Sequence, residues 1–509
     1  MLKLRSFRSA AAAILLAIVC VAYALAAAPP PKLVLAIVVD QFRYDYLTRF
    51  RGEYRAGLKR LLTEGAVFTN ARYEQYPTVT AVGHSTFLSG ATPALSGIIG
   101  NDWYDRASGK TVTSVSDDAV KLLGASGEGS SPRKLLVSTV GDELKMAGRG
   151  SMVIGISMKD RSAILPSGHM ADGAYWFDPR SGNFVSSTYY FAQLPDWVAA
   201  YNTARPADKY RGAKWLDHTM PSDTSLYAAI EGSPFGNELV ESFTERAIVA
   251  EKLGQRNVTD LLAVSFSAND YVGHAKGPDS PEVREMSIQT DRVLGKLFSF
   301  VDSQIGMGNV LVVFTADHGV APVPEVNEAR RMPGGRMPPG VVRKAVEDAL
   351  DAKYGNEKWI VSPGETAFYF NSDLIRRKNL DEREVERTAA DAVRAVPHVF
   401  RVYTRDMLLN GEVDIAVGRR VMNGFYPPRG PDLYVLLEPY WLYGKSGTTH
   451  STTFSYDAHV PVIFLGPGIK SGRFDQAIAA NDIAPTLATY LSIETPSGSV
   501  GRCLAEILN

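Results

Sequence analysis

Apolar runs without polar alternation recur along this chain, and most of them end beside residues able to do chemistry. Leu33 to Val39 (LVLAIVV) stops at Asp40. Met152 to Ile156 is followed by Lys159 and Arg161, and Leu261 to Phe266 by Asp270 and His274. Val310 to Thr315 (VLVVFT) leads to Asp317 and His318, and Val460 to Leu465 has His450 upstream. Such runs predict strands buried on both faces, as in a parallel sheet covered by helices. Helical spacing lies between them, as in Pro281 to Val301, with Met286, Val293, Leu297 and Val301 near one face. Ligands of an open α/β sheet bind outside the carboxyl ends of its strands. Four strands delivering Asp, Lys, Arg or His there predict a single site on one rim.

The pattern changes after Thr315. Pro322 to Gly340 is rich in Pro, Gly, Arg and Met and reads as a surface loop able to cover the site. A helix (Val341 to Tyr354), a strand (Thr366 to Phe370), a helix (Asp381 to Val396) and a strand (Val399 to Tyr403) then predict a small α+β insertion over residues 341–430. Leu433 to Leu437 is expected to resume the main sheet, and Asn481 to Leu491 to form a late helix. The predicted fold is α/β: a three-layer sandwich with a mostly parallel central sheet flanked by helices, built from residues 28–340 and 431–509, plus the insertion.

The first residues carry a different signal. Lys3, Arg5 and Arg8 precede a continuous apolar run from Ala10 to Ala22, and Ala24-Leu25-Ala26 offers a cleavage site. Residues 1–27 therefore read as a secretory signal peptide, and the protein as periplasmic or secreted. Val19 before Cys20 is branched, which disfavours a lipoprotein signal. Outside the leader only Cys503 remains, so no internal disulfide is expected, as suits a bacterial periplasmic enzyme with a large core. No other apolar run is long enough to span a membrane. Formal net charge is −1, or −4 without the leader's three basic residues, which points away from nucleic acid and anionic membranes as partners.

Thr80 stands at a junction. Tyr76 to Thr80 is held extended by Pro77 and β-branched residues, and Ala81 to Ser89 reads as a helix ending at Gly90. Thr80 is thus expected as the helix N-cap. The free N–H groups there also favour phosphate, and a bound metal can activate the hydroxyl as a nucleophile. The chain has eight histidines. His274 follows Asp270 at i+4, His318 follows Asp317 directly, and His450 sits in the small-residue loop Ser446 to Thr452. With Asp40 these make three carboxylates and three imidazoles. Mixed His/Asp ligands suit zinc, and six are too many for one catalytic ion but suit two. His459 competes with His450 as a ligand, and His84, at i+4 from Thr80, is expected to be structural.

Thr78-x-Thr80-Ala81-x-Gly83-His84, followed by Thr92 to Ile98 and Asn101, resembles the nucleophile region of the alkaline phosphatase superfamily. Asp270-x-x-x-His274, Thr315 to Gly319, the His450 loop and Asp482 to Leu487 resemble its other blocks in order. The sequence is most similar to the threonine-nucleophile bacterial alkaline phosphatases of the phosphate-irrepressible type. That resemblance implies one zinc on Asp270, His274 and His450, and a second on Asp40, Asp317 and His318 with Thr80. It also implies phosphoryl contacts from Asn101, Lys159 and Arg161. Lys159 and Arg161 are alternate residues, which in an extended segment project to one side. No carboxylates for the third, magnesium, site of some relatives are identified.

The expected activity is hydrolysis of small phosphate monoesters by a monomer with two zinc ions, through a phosphothreonine on Thr80. The rival within the superfamily is a nucleotide pyrophosphatase/phosphodiesterase. Lys159 and Arg161 decide against it, because they suit a terminal dianion with three free oxygens. The Cys/Ser-x-Pro-x-Arg setting of sulfatases does not occur at Thr80. A non-catalytic binding protein on this fold would lack a ligand or the nucleophile, and all seven positions are filled.

Overall fold

The computed structural model describes residues 30–508. The expected leader, residues 1–27, lies outside the described residues. Eleven strands form one sheet. In chain order they are β1 (Leu33–Val39), β2 (Ala66–Arg72), β3 (Ser116–Leu123), β4 (Glu128–Ser130), β5 (Val153–Ser157), β6 (Gly173–Asp178), β7 (Asn183–Ser187), β8 (Asp260–Phe266), β9 (Val310–Thr315), β10 (His459–Leu465) and β11 (Gly472–Ala479). Across the sheet the order is β11-β2-β10-β9-β1-β8-β5-β6-β7-β3-β4.

The middle of the sheet is parallel. β1 pairs with β8 from Leu33↔Asp260 to Val39↔Phe266, and with β9 from Leu33↔Val310 to Val38↔Thr315. These three strands are level, so the residues after them emerge together on one rim. Every residue of β1 is buried, which explains its lack of alternation. Leu33, Leu35, Ile37 and Val39 face one core layer, with Phe243 and the Met286, Val293, Leu297 and Val301 stripe of helix Pro281–Gln304. Val34, Ala36 and Val38 face the other, with Phe87 and Leu88 of helix Thr80–Ser89 and Leu487 of helix Ile483–Leu491. The three-layer α/β sandwich predicted from the sequence is therefore the fold observed.

Two expectations change. β10 runs antiparallel to both β9 and β2, so the sheet is mixed on that side. Its starting end, not its finishing end, lies on the rim with the carboxyl ends of β1, β8 and β9. This is why His450 precedes its strand while the other candidate ligands follow theirs. Leu433–Leu437 does not resume the main sheet. It is the middle strand of a separate three-stranded antiparallel sheet, between Ala367–Phe368 and Val399–Thr404. A short apolar run reads alike in either sheet, and partner choice depended on helices the run does not encode. Helices Val341–Tyr354 and Glu382–Arg394 cover this small sheet around Val346, Trp359, Val385, Val402 and Val435.

The segment expected as a loop over the site contains helix Pro324–Ala329 and is tied to the His450 loop at its start. The Thr448 hydroxyl donates to Ala321 O at 2.7 Å, and Ala321 N–H to Thr449 O at 3.2 Å. The late helix begins as a 3-10 turn, Ala480–Asp482.

Leu262 of β8 is fully buried in the core layer beneath the rim. Leu262→Ala is expected to lower unfolding free energy by about 2–5 kcal/mol through lost burial and a residual cavity. Urea denaturation of metal-stripped protein measures this, and a loss below about 1 kcal/mol would show that the layer collapses to fill the void.

Candidate active site

Four segments meet on the rim. Asp40 ends β1, Asp317 and His318 follow β9, Asp270 and His274 lie on helix Ala268–Lys276 after β8, and His450 comes from the loop ahead of β10. Their ligand-type atoms form two groups, Asp270/His274/His450 and Asp40/Asp317/His318, each lying within 4.8 Å. In the first, His274 Nε2 is 3.2 Å and His450 Nε2 3.7 Å from Asp270 Oδ1. In the second, His318 Nε2 is 3.5 Å from Asp40 Oδ1 and 3.4 Å from Asp317 Oδ2.

Whether a metal fits can be tested on these atoms. Asp40 Oδ1, Asp317 Oδ2 and His318 Nε2 are all buried and accept or donate no hydrogen bond. Buried polar atoms are almost always partnered, so three orphans converging on one point call for a cation. Bonds of about 2.0–2.2 Å at tetrahedral angles separate ligands by about 3.3–3.6 Å, the spacing seen here. The histidine tautomers agree. Nδ1 of His274, His318 and His450 lies 2.8, 2.9 and 2.7 Å from the carbonyls of Thr448, Gly319 and Thr78. A carbonyl only accepts, so each Nδ1 carries a proton, and in the neutral ring this leaves the Nε2 lone pair for a ligand. Burial and neighbouring His318 hold His450 well below the ordinary histidine value, in the neutral form that ligates.

Lys159 links the groups. Its Nζ donates to Asp40 Oδ2 at 2.7 Å and to Asp270 Oδ2 at 2.6 Å. Burial pulls this ammonium down, but Asp270 and Asp40 more than offset it and its pKa is raised. Lys159 has extended backbone, φ −100° and ψ 138°, but the extended segment expected to run on to Arg161 stops there. Lys159 caps helix Asp160–Ser167, and Arg161 lies in that helix's first turn. The Arg161 side chain is half-buried, and its nearest carboxylate contact, to Asp160, is 3.7 Å long.

Thr80 is the first residue of its helix rather than the cap. Val79 occupies the cap position with extended backbone, φ −131° and ψ 160°. Asn101 Oδ1 accepts from Ala81 N–H at 2.8 Å, doing the work expected of the threonine hydroxyl. That contact uses Oδ1 and leaves the Asn101 amide N–H groups for another acceptor. Gly83 lets this helix approach the rim, since a Cβ there would lie 2.3 Å from Asp317 O. His84 lies behind the site, with Nδ1 2.9 Å from Thr80 O and 3.2 Å from Asp317 Oδ2, and Nε2 2.8 Å from Ser265 Oγ. His459 belongs to neither group: it contacts Thr69 O and stacks on Tyr44.

Two supporting residues escaped the sequence reading. Gln41 donates its backbone N–H to Asp317 Oδ1 and its side-chain amide to Asp270 Oδ1. Asp457 accepts both the backbone N–H and the hydroxyl of Thr452 on Oδ2, at 2.8 and 2.6 Å. The Thr78 hydroxyl in turn donates to Thr452 O at 2.8 Å, while Thr78 O holds His450. Asp457 thus clamps the His450 loop to the strand leading to Thr80. Gln41 adjoins Asp40, the one signal available; Asp457 gave none.

An α/β sheet of this kind, with paired His/Asp groups on one rim, places the protein in the alkaline phosphatase superfamily. The pattern described as Type I phosphodiesterase / nucleotide pyrophosphatase matches residues 34–459, and the chain belongs to that family. It is 37% identical to Alkaline phosphatase PhoV of Synechococcus elongatus, covering 94% of this chain and 93% of that one. It is 35% identical to Alkaline phosphatase PafA of Elizabethkingia meningoseptica, covering 94% of each. A Myroides odoratus protein named Calcium-transporting ATPase is 36% identical over 94% of this chain and 95% of its own. The wild-type PafA crystal structure superposes with a TM-score of 0.88 at 35% identity, over 94% of this chain and 99% of that one. A further PafA structure replaces a Thr, an Asn, a Lys and an Arg whose spacings match Thr80 to Asn101 and Lys159 to Arg161.

Burial pushes the Asp457 carboxyl up to about 7, and the bonds from Thr452 offset this only in part. An unfolded aspartate titrates near about 3.9, so the folded state binds the proton more tightly. The associated stability is full below that value and is lost as pH rises through about 7. Unfolding free energy of metal-stripped wild type, minus that of Asp457→Asn, is therefore expected to fall between about pH 5 and pH 8. A difference that stays constant in urea titrations across that range would refute it.

Proposed function

We propose that this protein is an exported alkaline phosphatase that hydrolyses small phosphate monoesters through a phosphothreonine on Thr80, with two zinc ions. The observation that carries this reading is the pair of ligand groups lying side by side, with the rings of His318 and His450 stacked 3.6 Å apart, beneath the helix that begins with Thr80. Asp270, His274 and His450 would hold one ion, and Asp40, Asp317 and His318 the other, with Thr80 beside the second. Bound zinc supplies Lewis acidity, lowering the pKa of a hydroxyl or water to about 7 and balancing charge in the transition state.

The chain's own residues do the rest. Thr80 Oγ1 attacks phosphorus in line with the leaving oxygen: the Oγ1–P bond forms, the bond from phosphorus to the alcohol oxygen breaks, and the Thr80 proton, passed through solvent, ends on the departing alcohol. Water then cleaves the phosphothreonine and releases inorganic phosphate. Asn101 presents its amide N–H groups to a phosphoryl oxygen, since Oδ1 is already occupied by the helix. Lys159 has three N–H donors, two engaged by Asp40 and Asp270, which leaves one for the substrate. Arg161 offers a planar fork to the remaining equatorial oxygens.

The second reading, a phosphodiesterase, is favoured by the name of the matching family. Lys159 and Arg161 weigh against it, because a diester places a second organic group where these cations meet a free oxygen. PhoV and PafA, named alkaline phosphatases and matched nearly end to end, support the monoester reading. Among the described residues no helix is long and apolar enough to cross a membrane, so transport as in the Myroides name finds no support in the fold.

Phenyl phosphate and its diester are expected to differ strongly in kcat/KM in favour of the monoester. Lys159→Ala should lower the monoester value by about 10²–10³-fold, the scale for one lost transition-state donor, and shrink the preference. A wild-type preference for the diester would overturn the substrate assignment. Acid quenching during turnover should trap phosphate on Thr80, and Thr80→Ala should abolish that label.

A further inference from the structure

Gln41 combines an unfavourable backbone with a fully engaged position. It follows Asp40 at the end of β1, is buried, and has φ of +60°, a left-handed conformation that glycine would adopt without steric conflict. Its backbone N–H donates to Asp317 Oδ1 at 3.0 Å, a contact glycine would also make. What glycine lacks is the side chain, whose Nε2 donates to Asp270 Oδ1 at 2.6 Å. One residue thus contacts a carboxylate in each ligand group, through the backbone in one and the side chain in the other.

Asp270 is thereby gripped at both oxygens. Oδ2 takes Lys159 and Oδ1 takes Gln41, while Oδ1 is also the atom that faces Nε2 of His274 and His450. With Lys159 alone the carboxylate could turn about that contact. The amide adds a second fixed point, with Oδ1 held 3.2 Å from His274 Nε2 and 3.7 Å from His450 Nε2. Gly273 makes room for this. It stands inside helix Ala268–Lys276, where glycine weakens a helix, and a Cβ there would lie 1.8 Å from Gln41 Oε1.

We propose that Gln41 is a positioning residue that aims Asp270 at the metal of the Asp270/His274/His450 group, and that Gly273 is there to admit its amide. This rests on the reading that both groups hold zinc. Because only the side chain reaches Asp270, shortening it acts on one site and spares the other.

The test is zinc titration of EDTA-stripped full-length mature protein, with zinc anomalous diffraction at limiting metal to locate the occupied site. Wild type is expected to take two equivalents. In Gln41→Ala the equivalent on Asp40/Asp317/His318 should bind as in wild type, and the other should weaken by about 10–100-fold, the scale for lost outer-shell partners. Gln41→Gly should show the same pattern with a metal-free Tm no lower than wild type, which separates positioning from misfolding. Gly273→Ala should weaken the same site in the wild-type background and add nothing in the Gln41→Ala background. The proposal is overturned if Gln41→Ala and Gln41→Gly bind both equivalents normally, lose both together, or lose the Asp40/Asp317/His318 equivalent. It is also overturned if Gly273→Ala keeps its full effect without the amide. Fewer than two equivalents in wild type would instead overturn the two-zinc reading and take this inference with it, a result visible before any variant is made.

Discussion

Three buried carboxylates gathered on one rim are the constraint on which this structure depends. Asp40, Asp270 and Asp317 sit on the rim of a sheet whose interior is almost wholly apolar, where an uncompensated charge is very costly. The structure meets that constraint with one buried ammonium, Lys159, shared between Asp40 and Asp270, and with imidazoles held as neutral ligands by backbone carbonyls. One cation against three anions leaves a net negative charge that bound metal cations would offset. The same imbalance explains why the orphaned atoms are those that face inward to a shared centre while the outer oxygens are all hydrogen-bonded.

The topology serves this arrangement. Level registers among β9, β1 and β8 bring their carboxyl ends to one height, with Asp40 and Asp317 just beyond theirs and Asp270 on the helix that follows β8. The antiparallel β10 then returns a loop to that rim from the opposite direction and brings His450 with it. A strictly parallel strand in that place would carry the residues before it to the far edge of the sheet. Membership of the alkaline phosphatase superfamily thus shows in how the strands run as much as in which residues end them.

Much of this was legible in the sequence, for a physical reason. A strand buried on both faces admits few polar residues, so the carboxylates and imidazoles just after it mark the rim, and the Asp40, Asp270, Asp317 and His318 positions could be read from that. Local geometry was less legible. Thr80 read as a cap because threonine caps helices well, yet Asn101, 21 residues on, supplies the acceptor. Lys159 and Arg161 read as extended because nothing in their three residues announces the helix that Lys159 caps. Leu433–Leu437 read as main sheet because burial leaves the same apolar run in either sheet. Gln41 and Asp457 stayed hidden because supporting contacts depend on distant partners, and their residue types carry no spacing of their own.

The antiparallel β10 also sets an order in time. The group built on Asp40, Asp317 and His318 has all its members once residue 318 has joined the sheet. The group built on Asp270 and His274 stays open until residue 450 arrives, after the whole small sheet has been laid down. In order of synthesis one half of the centre therefore has its full ligand set well before the other, and the last imidazole to be made is the one that completes it.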